Sequence, residues 1–372
     1  MAAVQAIGLM SGTSLDGVDV AVIETDGERV SAFGPTGYRA YTEGERALLR
    51  EALTDAVAMR ARTERPGALA QAEALVTRAH GDAIEDFLND NGLALTAFEI
   101  IGFHGQTVLH RPERHLTVQI GDGRALARRF GVPVAFDFRA ADVAAGGQGA
   151  PLVPVFHAAL AQSLDRPRPI AVLNIGGVAN VTYCDDGDLI ACDTGPGNAL
   201  LDDFMRARTG RAFDTGGAKA ARGRVDEAFV ERVLRHPFFG QRPPKSLDRN
   251  AFASASAGLS QASVADGAAT LAALTAASVA RLVPLLPRPP RTWIIAGGGA
   301  RNTAMFAMLT ERLAPAMVEP ADALGWSSDA LEAQAFAYLA VRTQRGLPIT
   351  FPSTTGAPQP MPGGQIVTAS GA

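Results

Sequence analysis

The sequence predicts an α/β protein built from two similar domains that face one cleft. Ile7–Glu24 has the pattern of a strand, a turn of small and hydroxyl residues, and a second strand. Pro169–Cys192 repeats this order of strand, glycine turn and strand, which indicates an internal duplication. The chain has 372 residues, more than one hydrophobic core usually serves. Two domains of related architecture are therefore expected.

The first turn has the composition of an anion-binding site. Gly12 and Gly17 let the backbone approach a ligand closely, and successive exposed amides in such a turn bind anions. The alternating valines of Val18–Val22 predict a strand after the turn, whereas a P-loop requires a lysine and then a helix. The turn is therefore either a phosphate-cradling hairpin or an ordinary hairpin turn. Asp16 and Asp19 would either help to hold the water shell of a Mg²⁺ ion or simply form the turn.

The hydrophobic pattern defines the other elements of both halves. In the first half we predict a helical region over Thr42–Asn89, broken near Pro66, and a helix over Gly123–Phe130. We predict strands over Glu99–Phe103, Leu116–Ile120 and Val132–Phe136, and a loop at His104–Gln106. In the second half we predict strands over Pro169–Ile175, Val178–Cys184, Asp188–Cys192 and Thr292–Ala296, and helices over Ala199–Thr209, Asp226–Leu234, Ser263–Leu285 and Ser328–Arg345.

The last long helix is expected to return to the first domain. We therefore expect a first domain of residues 1–142 with about 328–352, and a second domain of residues 143–327. Residues 353–372 are rich in glycine, proline and serine and are expected to form a mobile tail.

Asp193 is the candidate catalytic residue. It follows a predicted strand and precedes the rigid turn Gly195–Gly197. Open α/β sheets bind ligands at the carboxyl ends of their strands, where a fixed carboxylate can accept a proton from a nucleophile. The alternative is an aspartate that caps the next helix or binds its own loop amides.

A run of three glycines, Gly297, Gly298 and Gly299, connects a buried strand to a helix. Because glycine has no side chain, a flat or phosphorylated ligand can lie directly against this backbone, and the N-terminus of the following helix favours anions. Tight packing of the strand against the helix would explain the same pattern. A glycine turn near both ends of one chain favours a nucleotide site.

Four further polar side chains are candidates for substrate binding. Arg139 would either pair with a carboxylate or phosphate or form a salt bridge across the domain boundary. His104 and Gln106 follow a buried strand and suit the recognition of a sugar, although a single histidine is more often structural. Glu332 begins a helix and would face either the cleft or solvent.

Composition argues against several classes of protein. The net charge is −4 and the isoelectric point about 5.9, and no basic run indicates nucleic acid or an anionic membrane surface. The N-terminus lacks the pattern of a secretory signal, and no apolar segment reaches the roughly 20 residues that a membrane helix needs. Cys184 and Cys192 are expected as reduced, packed side chains on neighbouring strands, not as a disulfide or a metal site. We expect a soluble cytoplasmic protein without protein-built metal sites.

Nine segments carry further motifs in a fixed order along nearly the whole chain. They are Gly8–Ala21 (GLMSGTSLDGVDVA), Gly102–Val108 (GFHGQTV), Gln119–Gly123, Asp142–Pro154, Asn174–Thr182 (NIGGVANVT), Asp193–Asn198 (DTGPGN), Pro244–Arg249, Ala296–Asn302 and Leu331–Ala340. Taken together they resemble the anhydro-N-acetylmuramic acid kinase family, which belongs to the acetate/sugar kinase–Hsp70–actin superfamily.

This resemblance implies a fold, a reaction and its cofactors. The fold would be actin/Hsp70/sugar-kinase-like, with duplicated ribonuclease H-like domains and a central ATP and substrate cleft. The cofactors would be ATP and Mg²⁺, the substrate 1,6-anhydro-N-acetylmuramic acid, and the assembly a homodimer. The reaction would open the anhydro bridge with water and phosphorylate O6, giving N-acetylmuramic acid 6-phosphate in peptidoglycan recycling.

The resemblance also assigns residues. Asp193 matches the catalytic base of the family. The residues that match its nucleotide-binding segments are Gly12, Thr13, Ser14, Leu15, Asp16, Gly17, Val18, Asp19, Gly297, Gly298 and Gly299. The residues assigned to the substrate are His104, Gln106, Gln119, Arg139 and Glu332.

Three rival functions can be told apart by simple assays. Another sugar or small-acid kinase of the same fold would not require an anhydro bridge. A non-catalytic ATP-binding module would hydrolyse ATP slowly without any sugar. A plain anhydro-sugar hydrolase would release a product without phosphate and would want a second carboxylate near Asp193, where no obvious partner is visible.

Overall fold

The computed structural model describes residues 1–370, except the side chains of residues 256 and 257. The chain divides into two compact units. The first unit is Met1–Ser163 together with the chain from Ala330 onward, and the second is Leu164–Asp329. The last long helix therefore returns to the first unit, as predicted.

The first unit contains a mixed sheet covered by helices. Its strands are β1 (Val4–Met10), β2 (Gly17–Thr25), β3 (Val30–Ala40), β4 (Ile100–Phe103), β5 (Gln106–Arg111), β6 (Leu116–Ile120), β7 (Val134–Phe136) and β13 (Gln365–Val367). Its helices are α1 (Glu43–Ala56), α2 (Leu69–Asn91), α3 (Gly123–Phe130), α4 (Ala140–Ala144), α5 (Pro154–Gln162), α10 (Leu331–Gln344) and α11 (Pro352–Thr355).

The main sheet of this unit has the strand order β13-β7-β4-β1-β2-β3. β1, β2 and β3 form an antiparallel meander, whereas β4 pairs parallel to β1 and β7 pairs parallel to β4. β13 closes the edge antiparallel to β7. β5 and β6 form a separate antiparallel hairpin.

Helix α10 lies directly on the backbone of the central strands. A side chain at Gly8 would meet the Ala337 amide at 2.5 Å, and one at Gly102 would meet the Phe336 carbonyl carbon at 2.7 Å. Since Cβ atoms do not approach other atoms so closely, glycine is required at both positions. This contact brings the first turn of α10, which carries Glu332, to the end of β1 where the first glycine turn begins.

The second unit has its own sheet, with the order β10-β9-β8-β11-β12. Its strands are β8 (Ile170–Ile175), β9 (Val178–Asp185), β10 (Asp188–Pro196), β11 (Thr292–Ala296) and β12 (Met317–Pro320). Its helices are α6 (Ala199–Thr209), α7 (Glu227–Leu234), α8 (Val264–Leu282) and α9 (Thr303–Leu313). The expectation that no apolar segment has membrane-spanning length is wrong, because Val264–Leu285 is apolar enough by length and composition to cross a membrane. Of its most apolar window, however, 72% is buried inside the protein. It is the central helix of this unit's hydrophobic core.

The two units share one topology. In the second unit β8, β9 and β10 form an antiparallel meander, and β11 and β12 follow parallel on the other side of β8. The first unit arranges β1, β2, β3, β4 and β7 in the same way. This repeated arrangement confirms the predicted internal duplication and the predicted fold class, the duplicated α/β fold of actin, Hsp70 and the sugar kinases.

Several predicted boundaries differ from the structure. β3 was not predicted, and Gln106, placed in a loop, begins β5. The first unit extends to Ser163 rather than to residue 142, because Phe156 of α5 packs on Tyr338 of α10 with ring centres 5.4 Å apart. The segment predicted as a tail at 353–372 is anchored instead, because Gln365–Val367 pair with β7.

The two cysteines lie where the sequence predicts them. Cys184 is in β9 and Cys192 is in the neighbouring strand β10. Both thiols are buried and unbridged. Burial raises the pKa of each thiol to about 12, so neither is a reactive thiolate.

Candidate active site

The first glycine turn connects β1 to β2 and presents an open backbone. Thr13, Ser14 and Asp16 are exposed, and Leu15 has a φ of 55°. A Cβ atom placed on Gly12 would find its nearest neighbour, the Ser14 hydroxyl, at 3.5 Å. The turn therefore has room for a ligand against its main chain, as the phosphate-cradle hypothesis requires.

The base of this turn is fixed by buried side chains. Ser11 donates to Gln106 Oε1 at 2.7 Å, and Gln106 Nε2 donates to the Gly12 carbonyl at 3.1 Å. The Tyr41 hydroxyl lies 3.1 Å from Ser11 Oγ, and the Tyr41 amide donates to the Asp16 carbonyl at 2.8 Å. Burial raises the pKa of Tyr41 to about 12, so the phenol stays neutral. Both ends of the turn are thus held before any ligand binds.

Gln106 was predicted to bind the sugar, and the structure gives it other partners. Its side chain is buried, and both ends of its amide are engaged with Ser11 and Gly12. Ser11 and Tyr41, which complete this network, were given no role from the sequence because neither belongs to a recognisable catalytic pattern. The position of Ser11 directly before Gly12 is a signal that could have found the serine, whereas nothing local marks Tyr41.

Asp16 and Asp19 are the carboxylates closest to the turn in sequence. Asp16 accepts a hydrogen bond from Ser14 Oγ at 2.8 Å and remains exposed. Asp19 is half-buried in β2, opposite Met10. Within residues 1–370, no group of three or more histidine, cysteine, aspartate or glutamate side chains could hold a metal ion. One or two carboxylates beside a phosphate-binding turn are the donor set that Mg²⁺ usually uses, and these residues fit it.

In the first unit, buried His104 contacts half-buried Arg139. His104 Nδ1 lies 2.9 Å from the Gly105 carbonyl, to which it must donate, so Nε2 is left as an acceptor for Arg139 Nη2 at 3.3 Å. The ring packs on Phe336 with centres 4.6 Å apart. Burial and the Arg139 charge lower the pKa of His104 to about 3, so the imidazole stays neutral and orients the arginine.

The Arg139 guanidinium is held in place by the protein. Its Nη1 donates to the Gly149 carbonyl at 2.8 Å. Burial lowers the pKa of Arg139 to about 10, and the Glu332 and Asp142 charges oppose this shift. The guanidinium is still charged at neutral pH and retains free N–H groups. Glu332, exposed at the start of α10, is close enough to interact with it electrostatically.

The glycine-rich segment after Arg139 is folded around Asp142, which the sequence analysis did not single out. This buried carboxylate accepts hydrogen bonds from the Gly149 amide at 2.6 Å and from Thr355 Oγ1 at 2.7 Å. The Gln148 amide donates to the Thr355 carbonyl at 2.7 Å. The end of the chain therefore supports the loop that positions Arg139.

Gln119, another predicted substrate residue, lies beside this pair. Its Nε2 donates to the His104 carbonyl at 2.9 Å. Its Oε1 is buried and has no hydrogen-bond partner among the described residues. The first unit thus brings together the glycine turn, His104, Gln119, Arg139 and Glu332 within one compact body.

Asp193 lies in the second unit, at a β-bulge within β10. It is opposite Asn180 in β9, and the strand continues to Pro196. The prediction that Asp193 follows the end of its strand is therefore wrong. The alternative that Asp193 caps the next helix is also wrong, because α6 begins six residues later and Asn198 is its N-cap position. A bulge re-aims the side chains beside it, which is why a functional carboxylate can occur inside a strand.

The Asp193 carboxylate has one structural partner and one free oxygen. Oδ2 accepts the Leu247 amide at 2.7 Å, and the Asp193 amide donates to the Lys245 carbonyl at 2.9 Å. Oδ1 has no hydrogen-bond partner in the part of the chain that the structure describes. Lys245 and Leu247 belong to a segment that carried the family resemblance but received no individual role in the sequence analysis.

Burial makes Asp193 a stronger base than an ordinary aspartate. It raises the pKa of Asp193 to about 6, while the Leu247 amide and the Lys245 charge oppose the shift. Lys245 Nζ is turned away to the Phe238 carbonyl at 3.0 Å, and burial lowers its pKa. A carboxylate with such a pKa is ionised at neutral pH and is suited to accept a proton.

The glycine turn of the second unit is tied through its carbonyls to the chain that follows β10. The Gly176 carbonyl accepts the Asn198 amide at 2.7 Å, and the Gly177 carbonyl accepts the amides of Gly197 at 3.0 Å and Ala199 at 3.2 Å. These bonds fix the segment that follows Asp193. The turn equivalent to the first glycine turn therefore anchors the segment next to the candidate base.

The three glycines after β11 do not share one role. Gly297 has a φ of 77°, and a Cβ there would lie 2.9 Å from the Ile175 carbonyl. Gly299 is buried, and a Cβ there would meet Ile175 Cβ at 2.6 Å. Gly298 is exposed, and its nearest neighbour would be Asn198 Nδ2 at 3.7 Å. Tight packing explains Gly297 and Gly299, whereas the backbone at Gly298 is open and leaves the ligand-binding explanation as a prediction.

The helix after these glycines begins later than its proposed role as an anion site suggests. A 3₁₀ turn over Gly298–Arg301 separates them from α9, and Asn302 caps that helix by accepting the Met305 amide at 3.0 Å. The protein itself therefore uses one of the free amides in the first turn of α9. The open backbone in this region is that of Gly298.

The duplicated α/β topology gives the chain the fold of the actin/Hsp70/sugar-kinase class. Comparison with known proteins specifies the family. The family model for anhydro-N-acetylmuramic acid kinase matches residues 4–369, so the chain belongs to that family, as its motifs indicated.

Whole-chain relatives agree with this assignment. An anhydro-N-acetylmuramic acid kinase from Nitrobacter winogradskyi is 64% identical over 362 residues, which cover 97% of this chain and 98% of the relative. One from Rhodopseudomonas palustris strain BisB18 is 62% identical, with 97% and 99% covered. Among solved structures, the chain is similar to the activator of the 2-hydroxyisocaproyl-CoA dehydratase from Clostridium difficile with bound ADPNP. The sequence identity is 14% and the TM-score is 0.45, and the match covers 92% of this chain and 96% of the activator.

Proposed function

We propose that this protein is an ATP-dependent kinase that adds water across the anhydro bridge of 1,6-anhydro-N-acetylmuramic acid and phosphorylates O6. The products are N-acetylmuramic acid 6-phosphate and ADP, and the reaction serves peptidoglycan recycling. The observation that carries the proposal is Asp193, a carboxylate with one free oxygen and a pKa of about 6 in a chain whose relatives carry this kinase name over their whole length.

The first unit would hold the phosphates of ATP. The turn from Gly12 to Asp19 offers exposed backbone amides on a base already fixed by Gln106 and Tyr41, so little ordering is lost on binding. Gly298 of the second unit would lie against the nucleotide. Mg²⁺, which Asp16 or Asp19 would help to hold through its water shell, would neutralise phosphate charge during transfer.

The same unit would orient the sugar. Arg139, aligned by neutral His104 and the Gly149 carbonyl, suits the lactyl carboxylate of the substrate because a guanidinium pairs with a carboxylate through two hydrogen bonds. Glu332 would contact the sugar near this arginine. Gln106 would act by holding the phosphate turn in place.

Asp193 would be the general base. It would take a proton from water as the water oxygen bonds to the anomeric carbon and the bond from that carbon to the bridging oxygen breaks. That oxygen stays on C6 and receives the phosphoryl group of ATP. A glycosidase protonates its leaving oxygen with a second carboxylic acid, whereas here phosphoryl transfer would remove that need.

One incubation tests this function. The protein is supplied with ATP, Mg²⁺ and the anhydro-sugar in ¹⁸O-labelled water, and the product is examined by mass spectrometry. We expect a product that has gained one water and one phosphoryl group, with the ¹⁸O label on C1. A product without phosphate would indicate a hydrolase, and phosphorylation of a sugar that lacks the bridge would indicate a general sugar kinase. ADP formed equally without sugar would indicate an ATP-binding module.

Asp193→Asn supplies the matched variant. Removal of a general base typically costs about 10²- to 10⁴-fold in turnover, while nucleotide binding should survive. Asp188→Asn, an exposed position on the same strand, is the control and should keep normal activity. Near-normal turnover by a folded Asp193→Asn variant would remove Asp193 from this role.

We also propose that the protein acts in the cytoplasm as a homodimer. ATP, the phosphoryl donor, is a cytoplasmic metabolite, and the family resemblance implies the dimer. Light scattering at several protein concentrations measures the mass directly, and a monomer throughout would contradict the second part.

A further inference from the structure

We propose that Thr107 and Gln119 bind the C4 hydroxyl of the sugar, so that the kinase requires an unsubstituted O4. This inference rests on the proposed function, because it names the part of that substrate which the two side chains would read. It starts from two buried polar atoms for which the structure shows no partner.

Thr107 and Gln119 are neighbours on one face of the β5–β6 hairpin. They are directly opposite each other in the antiparallel register, which places their Cβ atoms about 4.5–5.5 Å apart. A bulge follows Thr107 on β5, and such irregularities commonly re-aim the side chains beside them. The two side chains can therefore converge on one small group.

Both side chains keep an unused hydrogen-bonding atom. Thr107 Oγ1 and Gln119 Oε1 are buried and have no hydrogen-bond partner within the described residues. A buried polar atom left without a partner costs about 1–3 kcal/mol, so two such atoms side by side are satisfied either by a bound water or by a ligand group.

The orientation of the glutamine amide is fixed by chemistry. The His104 carbonyl can only accept, so the group 2.9 Å from it must be the Gln119 NH₂. The unused atom is therefore an acceptor, Oε1, and the ligand must present a donor to it. The Thr107 hydroxyl can donate to the same ligand.

This face of the hairpin belongs to the proposed sugar site. It also carries His110, whose Cε1 atom would lie 3.2 Å from a Cβ on Gly149. The Gly149 carbonyl holds Arg139, and His104, which Gln119 contacts, holds the other side of that guanidinium. The hairpin that carries the two unused atoms thus contacts both residues that hold the arginine proposed for the lactyl carboxylate.

A hydroxyl suits these two atoms better than an amide. One hydroxyl oxygen can donate to Gln119 Oε1 and accept from Thr107 Oγ1, whereas the N–H and C=O of a trans amide point in opposite directions. In 1,6-anhydro-N-acetylmuramic acid, O1 and O6 form the bridge, O3 carries the lactyl ether and the C2 nitrogen is acetylated. The only free alcohol is therefore on C4.

The test compares three sugars with the full-length enzyme: the parent anhydro-sugar, its 4-deoxy analogue and its 4-O-methyl ether. For the wild type we expect kcat/KM to fall about ten- to hundredfold with the 4-deoxy sugar, because two buried groups lose their partner. The methyl ether should not react, because it has no hydrogen to donate to Oε1 and adds bulk in a buried position.

Variants assign the effect to the two residues. Thr107→Val keeps the shape of the side chain and removes its hydroxyl, so the parent sugar should lose about tenfold in kcat/KM while the penalty for 4-deoxygenation shrinks. Thr107→Ser keeps a hydroxyl and should retain most of the discrimination. Thr54→Val, on the exposed face of α1, is the control and should behave like the wild type.

The outcomes separate this inference from the proposed function. If the wild type phosphorylates the parent and the 4-deoxy sugar equally well, the inference is wrong and the function stands. Unchanged kinetics in a folded Thr107→Val variant would also overturn it, since the two atoms would then hold only a structural water. If the parent sugar is not phosphorylated at all, the proposed function itself fails. The wild-type comparison needs no variant and decides the matter even if Thr107→Val does not fold.

Discussion

The raised pKa of Asp193 predicts a steep loss of activity in mild acid. A general base works only when ionised. With a pKa of about 6, about nine-tenths of Asp193 is ionised at pH 7 and about one-tenth at pH 5, so kcat/KM should fall about tenfold over this interval. An aspartate at its ordinary value of 3.8 would be mostly ionised at both pH values and would give a nearly flat profile.

The assay is transfer of the labelled γ-phosphoryl group to the anhydro-sugar, measured as kcat/KM for the sugar at saturating ATP and constant ionic strength. Neither His104 nor Arg139 titrates in this range, since burial holds the pKa of His104 at about 3 and that of Arg139 at about 10. A single inflection near pH 6 is therefore expected. A profile that stays flat to pH 5 would refute the reasoning.

The same shift makes a prediction about stability. A carboxyl whose pKa is higher in the folded than in the unfolded chain stabilises the fold only while protonated, and this contribution is lost as the pH rises through about 6. The change from 3.8 to about 6 corresponds to up to about 3 kcal/mol at pH 7.5 and about half of that at pH 5. Asp193→Asn should therefore unfold at higher denaturant concentration than the wild type at pH 7.5, with a smaller difference at pH 5. A variant that is less stable than the wild type at pH 7.5 would contradict this account.

Three further changes test individual positions. Gly12→Val should keep the melting temperature of the wild type, since the nearest atom is 3.5 Å from the new Cβ. Its ATP affinity, measured by calorimetry, should fall at least about tenfold because the side chain blocks the backbone. Normal ATP binding would contradict the assignment of this turn to the phosphates. Gly297→Ala should lower the free energy of unfolding by about 1–3 kcal/mol, because the φ of this residue is 77°. Gly298→Ala should fold normally and change only nucleotide affinity. Equal losses of stability in the two variants would contradict their separate roles. Asp142→Asn should cost about 1–3 kcal/mol, since an amide has one acceptor oxygen for two donors, and an unchanged free energy of unfolding would exclude that role.

The sequence predicts the parts of the fold that depend on regular hydrophobic patterns. The helices Ala199–Thr209 and Gly123–Phe130 and the strand Thr292–Ala296 have the predicted bounds. The repeated strand–turn–strand order predicts the duplication correctly because each half must bury one face of the same kind of sheet. The family assignment follows from motifs spread along the whole chain.

The elements that were missed lack such patterns. β3 is an edge strand whose residues are mostly exposed, and it contains Gly34, Pro35 and Gly37, which indicate turns in a sequence. β13 lies in a segment rich in glycine and proline and becomes a strand only because β7 offers it a free edge. Both owe their structure to tertiary pairing, which local propensity does not reveal.

The site shows the same limit. A pattern of residue types predicts Asp193, Arg139 and His104, but it cannot show that Gln106 uses both ends of its amide on the glycine turn, nor that a bulge directs Asp193. These facts depend on which distant segments meet. Ser11 and Gln106, for example, are 95 positions apart in the chain.

The two equivalent glycine turns differ in how their carbonyls are used. In the second unit the carbonyls of Gly176 and Gly177 accept amides of residues 197–199, which tethers this bend to the stretch of chain just beyond Asp193. Substitutions that displace either carbonyl should therefore disturb the alignment of the proton acceptor, even though neither residue contacts it directly.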